Sequence, residues 1–252
     1  MSVNAVTAAR WVERWEGQQQ RYAIDREESF TVIADVVEHV TRGQSAPPLV
    51  LDLGSGPGSL AARLAGRLPG ADVLAVDADP LLLELGRTHY GPALRYVEAV
   101  IGEPGWLDAL APGRPVDAAV STTALHYLDR RTLRRVYREL AGRLRPGGVL
   151  VNGDHISPDS ARVSALADDI GRRHAERNLT LSHDDWHSWW SGATSDPELS
   201  RLLAQRDRQG HPRCEGNDLT VGGHVALLRE AGFDHVGVVW QYGHSHVLAA
   251  IR

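Results

Sequence analysis

Short apolar runs alternate with longer amphipathic stretches through the middle of this 252-residue chain. Runs of this length, separated by helical patterns, are typical of parallel strands whose crossover helices cover a sheet. The sequence therefore predicts an α/β fold, a doubly wound parallel sheet. The five runs are Leu49–Leu53, Asp72–Val76, Leu94–Ala99, Val116–Ser121 and Gly148–Asn152.

Helix start signals stand between and before these runs. Asp79, which a proline follows, and Asp129 each precede an amphipathic stretch, as N-cap residues do. Upstream, Asp25 and Glu28 are three residues apart, as in a capping box, and the helix they predict would end at Gly43.

The strand pattern disappears after residue 155 and returns near residue 220. In between, Ser157, Ser182 and Asp196 each look like a helix start, so this segment is predicted to be a helical insert. The chain is then divided into an N-terminal helical cap (1–46), a core (47–155 and 220–252) and the insert (156–219).

The C-terminal segment returns to the α/β pattern. Thr220 begins a predicted helix that Gly232 ends, and Val236–Gln241 and His246–Ile251 have the composition of strands. The link between these strands is short enough for a hairpin, so the last strand is predicted to be antiparallel to its neighbour.

Composition excludes several classes of function. The 27 basic residues are all arginine, which rules out lysine Schiff bases and Walker-type phosphate loops. A net charge of −5 argues against a nucleic-acid partner. With one cysteine, Cys214, and no apolar stretch long enough for a membrane span, we expect a cytoplasmic protein that does not associate with membranes.

A glycine-rich turn, Val50–Gly58, follows the first predicted strand and precedes a helix. Gly54, Gly56 and Gly58 allow a tight turn and a close approach of the backbone to a ligand. A nicotinamide dinucleotide fingerprint would place a third glycine at Ser59, so that interpretation is weakened. A plain strand-to-helix connection stays open as the alternative.

Asp77 ends the second predicted strand, where an acid can accept both hydroxyls of a ribose. The segments LDLGSGPGS, VDADP, VDAAVSTTALHYL, LRPGGVLV and LREAGF, the last followed by a hairpin, occur in this order. In this order the chain resembles class I S-adenosylmethionine-dependent methyltransferases, over about residues 22–155 and 220–252. The resemblance implies a Rossmann-like seven-stranded sheet, S-adenosylmethionine as cofactor, and methyl transfer to an O, N or C nucleophile of a small molecule. The all-arginine, alanine-rich and glycine-rich composition is typical of a high-GC coding sequence, which fits a bacterial biosynthetic enzyme.

The resemblance also implies roles for individual residues. At the third strand the family often has an acid that binds the adenine amine, but this chain has Val100 there. The implied cofactor contacts are Gly54, Ser55 and Gly56 for the methionine part, Asp77 for the ribose, Ala78, Val100 and Ile101 (with Trp106 as a packing partner) for adenine, Ser121 with Thr122 for the reaction centre, and Tyr22 with Arg26, four apart on one helical side, for the cofactor carboxylate.

Two histidines follow predicted strands at their carboxyl ends, where doubly wound folds bind their ligands. His126 follows the fourth strand and His155 the fifth, and either is a candidate general base. Asp154 would orient a histidine or cap the next turn. For both histidines the alternative is a structural or merely pocket-lining role.

The insert carries an aromatic stripe, Trp186, Trp189 and Trp190, at helical spacing. It is a candidate wall of the acceptor site, and core packing of the insert is the alternative. His183 and His187 are four apart, as in some zinc sites, but no third ligand of matching spacing follows, so no metal is expected.

Two other functions compete with methyl transfer: a non-catalytic or non-methylating S-adenosylmethionine-binding protein, and a nicotinamide-dependent oxidoreductase. Oligomeric state stays open.

Overall fold

Helices and strands alternate along most of the chain in a computed structural model that describes residues 3–22, 25–110, 113–178, 184–210 and 216–252. The strands are β1 (Leu49–Leu53), β2 (Asp72–Asp77), β3 (Arg95–Glu98), β4 (Val116–Thr122), β5 (Leu144–His155), β6 (His235–Tyr242) and β7 (Ser245–Ile251). The helices are α1 (Ala5–Tyr22), α2 (Arg26–Thr41), α3 (Ser59–Arg67), α4 (Pro80–Tyr90), α5 (Trp106–Ala109), α6 (Arg130–Arg143), α7 (Ala161–Asn178), α8 (Trp186–Thr194), α9 (Ser200–Gln209) and α10 (Val221–Ala231).

All seven strands form one sheet in the order β3-β2-β1-β4-β5-β7-β6. The first five strands pair in parallel, and β7 is antiparallel to both β5 and β6. The predicted fold class, with its antiparallel last strand, is confirmed. Strand order reverses between β1 and β4, and ligands of doubly wound folds bind at the carboxyl edge beside such a reversal.

Side-chain caps begin several of the helices that cover the sheet. The Oδ1 atoms of Asp79 and Asp129 each accept hydrogen bonds from the backbone N–H groups two and three residues further on, at 2.8 to 3.3 Å. Thr220 accepts a bond from the N–H of Gly223 at 3.3 Å, so all three predicted starts are confirmed.

Two other expectations about helix starts fail, one of them only in part. The helix predicted after Asp25 does begin at Arg26, but Asp25 has a left-handed backbone (φ 48°) and makes no side-chain cap bond to α2, so it forms no capping box. Ser157 pairs with Thr220 in an isolated parallel bridge, and α7 begins only at Ala161.

Helix starts in the rest of the insert follow the sequence in part. Asp196 caps the short 3₁₀ turn that leads into α9. Ser182 lies outside the described residues, and Asp185 caps α8, accepting a bond from the N–H of Ser188 at 2.7 Å.

Three clusters of buried apolar side chains hold these layers together. Two lie on opposite faces of the sheet. The third joins α1, α4, α8 and α9 beside the carboxyl edge, so the predicted cap and insert pack against each other. Among the described helices, none combines the length and apolarity needed to cross a membrane.

Candidate active site

The glycine-rich turn joins β1 to α3 at the carboxyl edge of the sheet. Gly54, Gly56 and Gly58 have φ angles of 70°, 55° and 94°, values that favour glycine. A Cβ on Gly54 would lie 2.3 Å from the Cβ of Ala124, and one on Gly56 would lie 3.1 Å from the ring of Trp15. The turn thus needs glycine both for its backbone conformation and for close packing.

Asp77 fastens this turn to the end of β2. Its Oδ2 accepts a hydrogen bond from the N–H of Gly56 at 2.7 Å, and its Oδ1 accepts one from the N–H of Asp79 at 2.9 Å. Burial raises the pKa of Asp77 to about 6, although both of these bonds favour the charged form. Each carboxylate oxygen keeps further acceptor capacity for a hydroxyl donor.

Asp52, near the end of β1, is a second buried carboxyl group close to this one. Its Oδ2 accepts a bond from the N–H of Ala61 at 3.0 Å, which ties β1 to α3. Burial raises the pKa of Asp52 to about 7, and the charge of Asp77 contributes to the rise.

A cavity of about 630 Å³ opens beside the turn, a volume in the usual range for small-molecule sites. The carboxyl edge of the sheet forms one side, and α1, α8 and α9 close the other. Thirteen of the residues given a site role from the sequence line it: Arg26, Gly54, Ser55, Gly56, Asp77, Ala78, Val100, Ile101, Thr122, His126, His155, Trp186 and Trp190.

Ser121, Trp189 and Trp106 are not at the cavity. Ser121 is fully buried in β4 and donates its hydroxyl hydrogen bond to the carbonyl of Leu53 at 2.8 Å. Thr122, which the resemblance placed with Ser121 at the reaction centre, does line the cavity. Trp106 is buried in the sheet core, and its Nε1–H bonds Glu139 at 2.6 Å.

The tryptophan stripe divides between the two interpretations given to it. Trp189 is fully buried, with its ring centroid 5.3 Å from that of Trp11 and 5.2 Å from that of Trp15. Trp186 and Trp190 line the cavity. The α8 helix thus packs through its middle tryptophan and faces the cavity with the other two.

Arg26 lines the cavity, but, contrary to expectation, it does not lie on one helix with Tyr22. Tyr22 ends α1 and Arg26 begins α2, and the side chain of Tyr22 lies outside the described part of the chain. Arg26 is buried, forms an ion pair with Glu16, and lies 4.4 Å from the ring of Phe30. Burial alone would raise the pKa of Glu16, but the positive charge of Arg26 holds that pKa below its usual value.

His126 lies in a 3₁₀ turn after β4, next to the buried end of β5. Its Nδ1 is 2.7 Å from Oδ1 of Asp154, and the same oxygen accepts the backbone N–H of His155 at 2.9 Å. The side chain of His155 is exposed at the rim of the cavity. Asp154 therefore orients His126, one of the two roles that its position in the sequence had left open.

Thr123, which precedes this turn, is a backbone outlier that the sequence did not reveal. It has a φ of 48°, a strained value for a β-branched residue, and its N–H bonds the carbonyl of Gly153 at 2.9 Å. Strain of this kind is concentrated at functional sites, and Thr123 lines the cavity.

Residues from α1 and α9 also line the cavity, and sequence reasoning missed them. Trp15 stands four residues after Trp11, an aromatic spacing that could have marked α1 as a wall. Arg206 in α9 carried no such signal. Its Nε is 2.6 Å from Oδ2 of Asp79, and its guanidinium lies 3.8 Å from the centre of the Trp190 ring.

No metal-binding group of three or more His, Cys, Asp or Glu side chains occurs within the described ranges. His187 is exposed on α8, and His183 lies outside those ranges.

Residues 50–148 match the family model of a methyltransferase domain. Within these residues the chain carries a methyltransferase domain. It is also similar to a trans-aconitate 2-methyltransferase of Streptomyces coelicolor, with 31% identity over 176 residues, which is 68% of this chain and 55% of that protein. The chain spans about half the length of most of the curated relatives it matches first.

Solved structures of methyltransferases share the fold. An O-methyltransferase family protein from Burkholderia thailandensis has a TM-score of 0.56 at 20% identity, over 88% of this chain and 55% of that chain. Human N-acetylserotonin methyltransferase in complex with SAM has a TM-score of 0.54 at 16% identity, over 95% of this chain and 56% of that chain.

The cofactor of this methyltransferase family fits the residues present. The glycine-rich turn offers backbone at close range, and Asp77 offers a carboxylate for ribose hydroxyls. Val100, two residues after β3, is apolar and exposed, so this position would offer adenine no acid. Nearby, Gln209 of α9 lines the cavity and its amide donates a hydrogen bond to Glu98 at 2.6 Å.

Proposed function

We propose that this protein transfers a methyl group from S-adenosylmethionine to an oxygen, nitrogen or carbon atom of a small molecule. One observation carries the proposal: a single cavity joins the glycine-rich turn and Asp77 to the His126–Asp154 pair. The cofactor supplies an activated methyl group, so the protein has to bind, orient and exclude water.

The glycine-rich turn and Asp77 would hold the methionine and ribose parts of the cofactor, and Arg26 its carboxylate. Arg26 is already paired with Glu16, so the cofactor carboxylate would share that guanidinium or displace Glu16. Tyr22 stays a proposed contact. Ala78, Val100 and Ile101 would pack against adenine.

His126 is the better placed of the two proposed bases. A carboxylate can only accept hydrogen bonds, so Asp154 fixes the proton of His126 on Nδ1 and leaves Nε2 to take a proton from the acceptor. His155 lies at the rim, and its backbone N–H bonds the same carboxylate. Its role as an alternative base stays part of the proposal.

We further propose a cytoplasmic setting and a role in small-molecule biosynthesis. The division into cap, core and insert at residues 46, 155 and 219 is also a proposal. It is supported by the all-helical secondary structure of the described insert residues between 161 and 209 and by the sheet on either side.

Two titrations and a turnover assay test the function. Calorimetry should show binding of S-adenosylhomocysteine and none of a nicotinamide dinucleotide, and Asp77→Ala should weaken the former by at least tenfold. Binding only the nicotinamide compound would refute the proposal. Binding without transfer to any acceptor would favour the non-catalytic alternative.

A pair of histidine variants tests the base. His126→Ala should lower turnover on the order of 10² to 10⁴-fold while leaving S-adenosylhomocysteine affinity within threefold. His235→Ala, at an exposed position at the start of β6, is the control. Equal turnover in the two variants would remove His126 from the mechanism.

A further inference from the structure

Aromatic side chains line the cavity: Trp15, Trp186, Trp190 and Tyr127. The rings of Trp15 and Trp186 lie 5.7 Å apart at 61°, and those of Trp186 and Trp190 lie 5.7 Å apart at 61°. The ring centroid of Tyr127 lies 4.1 Å from that of His126. Edge-to-face rings present flat apolar surfaces, which favour a planar aromatic guest.

The arginines of the cavity are already neutralised. Among the lining residues in the described ranges, Arg26 pairs with Glu16, and Arg206 pairs with Asp79 at 2.6 Å. A carboxylate-rich acceptor would have to break one of these pairs or give up its hydration without a counter-charge. Burying an unpaired carboxylate is costly, so the cavity disfavours an acceptor that carries several carboxylates.

The His126–Asp154 pair also favours an acceptor that is not a carboxylate. A carboxylic acid has a pKa near 4 and is already ionised at neutral pH, whereas a phenolic hydroxyl has a pKa of about 10. A general base therefore helps a phenol and does nothing for a carboxylate. An oriented histidine beside an aromatic wall serves a hydroxyl that must lose its proton.

We propose that the acceptor is a planar aromatic compound with a phenolic hydroxyl, and not a carboxylic acid. The inference rests on the proposed methyl transfer and adds the acceptor class. The acceptor oxygen forms a bond to the methyl carbon while the carbon–sulfur bond breaks and leaves its electron pair on sulfur. The hydroxyl proton passes to Nε2 of His126, so charge balances as the sulfonium becomes neutral S-adenosylhomocysteine.

Two probes separate the acceptor classes. The protein saturated with S-adenosylhomocysteine is titrated with 2-naphthol and with trans-aconitate, and transfer from S-adenosylmethionine to each is followed by mass spectrometry. We expect 2-naphthol to bind at least tenfold more tightly and to be methylated on oxygen. Tighter binding or methylation of trans-aconitate, or failure of 2-naphthol to bind, would overturn the inference. Failure to bind S-adenosylhomocysteine would instead overturn the proposed function.

A second comparison tests the base through the acidity of the acceptor. His126→Asn should lower kcat with 2-naphthol on the order of 10² to 10⁴-fold. With 4-nitrophenol, which is largely ionised in mildly alkaline buffer, the loss should be less than about tenfold because little proton removal is left to catalyse. An equal loss with both phenols would show that His126 only shapes the pocket, and would contradict the proton transfer to it.

Discussion

Gly86 of α4 supports the glycine-rich turn from behind, and its replacement by alanine should be harmful. Its side-chain position faces the carbonyl group of Pro57. An ideal Cβ at Gly86 would lie 1.9 Å from the Pro57 oxygen, 2.7 Å from its carbonyl carbon and 2.9 Å from the ring of Tyr96. Real Cβ contacts essentially never fall below 3.0 Å, so the turn and α4 must separate by about 1 Å.

The expected energy is the balance of two opposite effects. Alanine in a helix interior is favoured over glycine by about 1 kcal/mol, whereas overpacking typically costs about 1 to 3 kcal/mol. The variant Gly86→Ala should therefore unfold as easily as the parent or up to about 2 kcal/mol more easily. Since the shift displaces the carbonyl that accepts the Tyr96 hydroxyl at 3.2 Å, and with it the turn, S-adenosylhomocysteine should bind at least tenfold more weakly.

Urea unfolding and calorimetric titration measure both effects, and Gly142→Ala is the matched control. Gly142 lies inside α6 with nothing within 4 Å of its Cβ position, so alanine there should stabilise the protein by about 1 kcal/mol. The reasoning is refuted if Gly86→Ala is stabilised as much as the control and keeps the parent's affinity.

Three further predictions follow from charge and burial. The pKa of Asp77 is raised to about 6 from about 4 in the unfolded chain, so thermal stability of the ligand-free protein should fall from pH 4 to 6 while S-adenosylhomocysteine affinity rises. Asp77→Asn should flatten the affinity profile and reduce the fall in stability without abolishing it, because the raised pKa of Asp52 contributes over the same range. Arg206→Ala, which removes an ion pair and a cation–π contact, should weaken that affinity roughly 5- to 30-fold, against little change in the exposed control Arg208→Ala. Trp189→Ala should cost about 3 to 5 kcal/mol in urea unfolding, whereas Trp186→Ala should mainly raise the KM of the acceptor; the reverse pattern would contradict the assignment of the two rings.

Features fixed by local sequence could be predicted. The glycine-rich turn needs positive φ angles at Gly54, Gly56 and Gly58, and only glycine adopts them readily. Asp77 follows from its place at the end of a strand, because the carboxyl ends of parallel strands meet at one edge. The fold class follows from the same alternation of strands and helices.

Features that depend on side-chain direction or on packing between distant segments could not be predicted from the sequence. Ser121 and Thr122 are neighbours, and only the register of β4 decides which one reaches the cavity. The choice of Trp189 for the core depends on where α1 lies. Arg206 meets Asp79 across 127 positions of sequence, and no periodicity in either segment encodes that contact.

The position of α4 explains why two distant parts of the chain can act on one cavity. Leu81, Leu82 and Leu85 of α4 pack in the cluster that α1, α8 and α9 share, while Gly86 of the same helix contacts the glycine-rich turn. The α4 helix therefore sets the distance between the glycine-rich turn and the apolar cluster of α1, α8 and α9. A change that shifts α4 should alter cofactor affinity and acceptor affinity together, whereas Trp186→Ala in α8 should alter mainly the second.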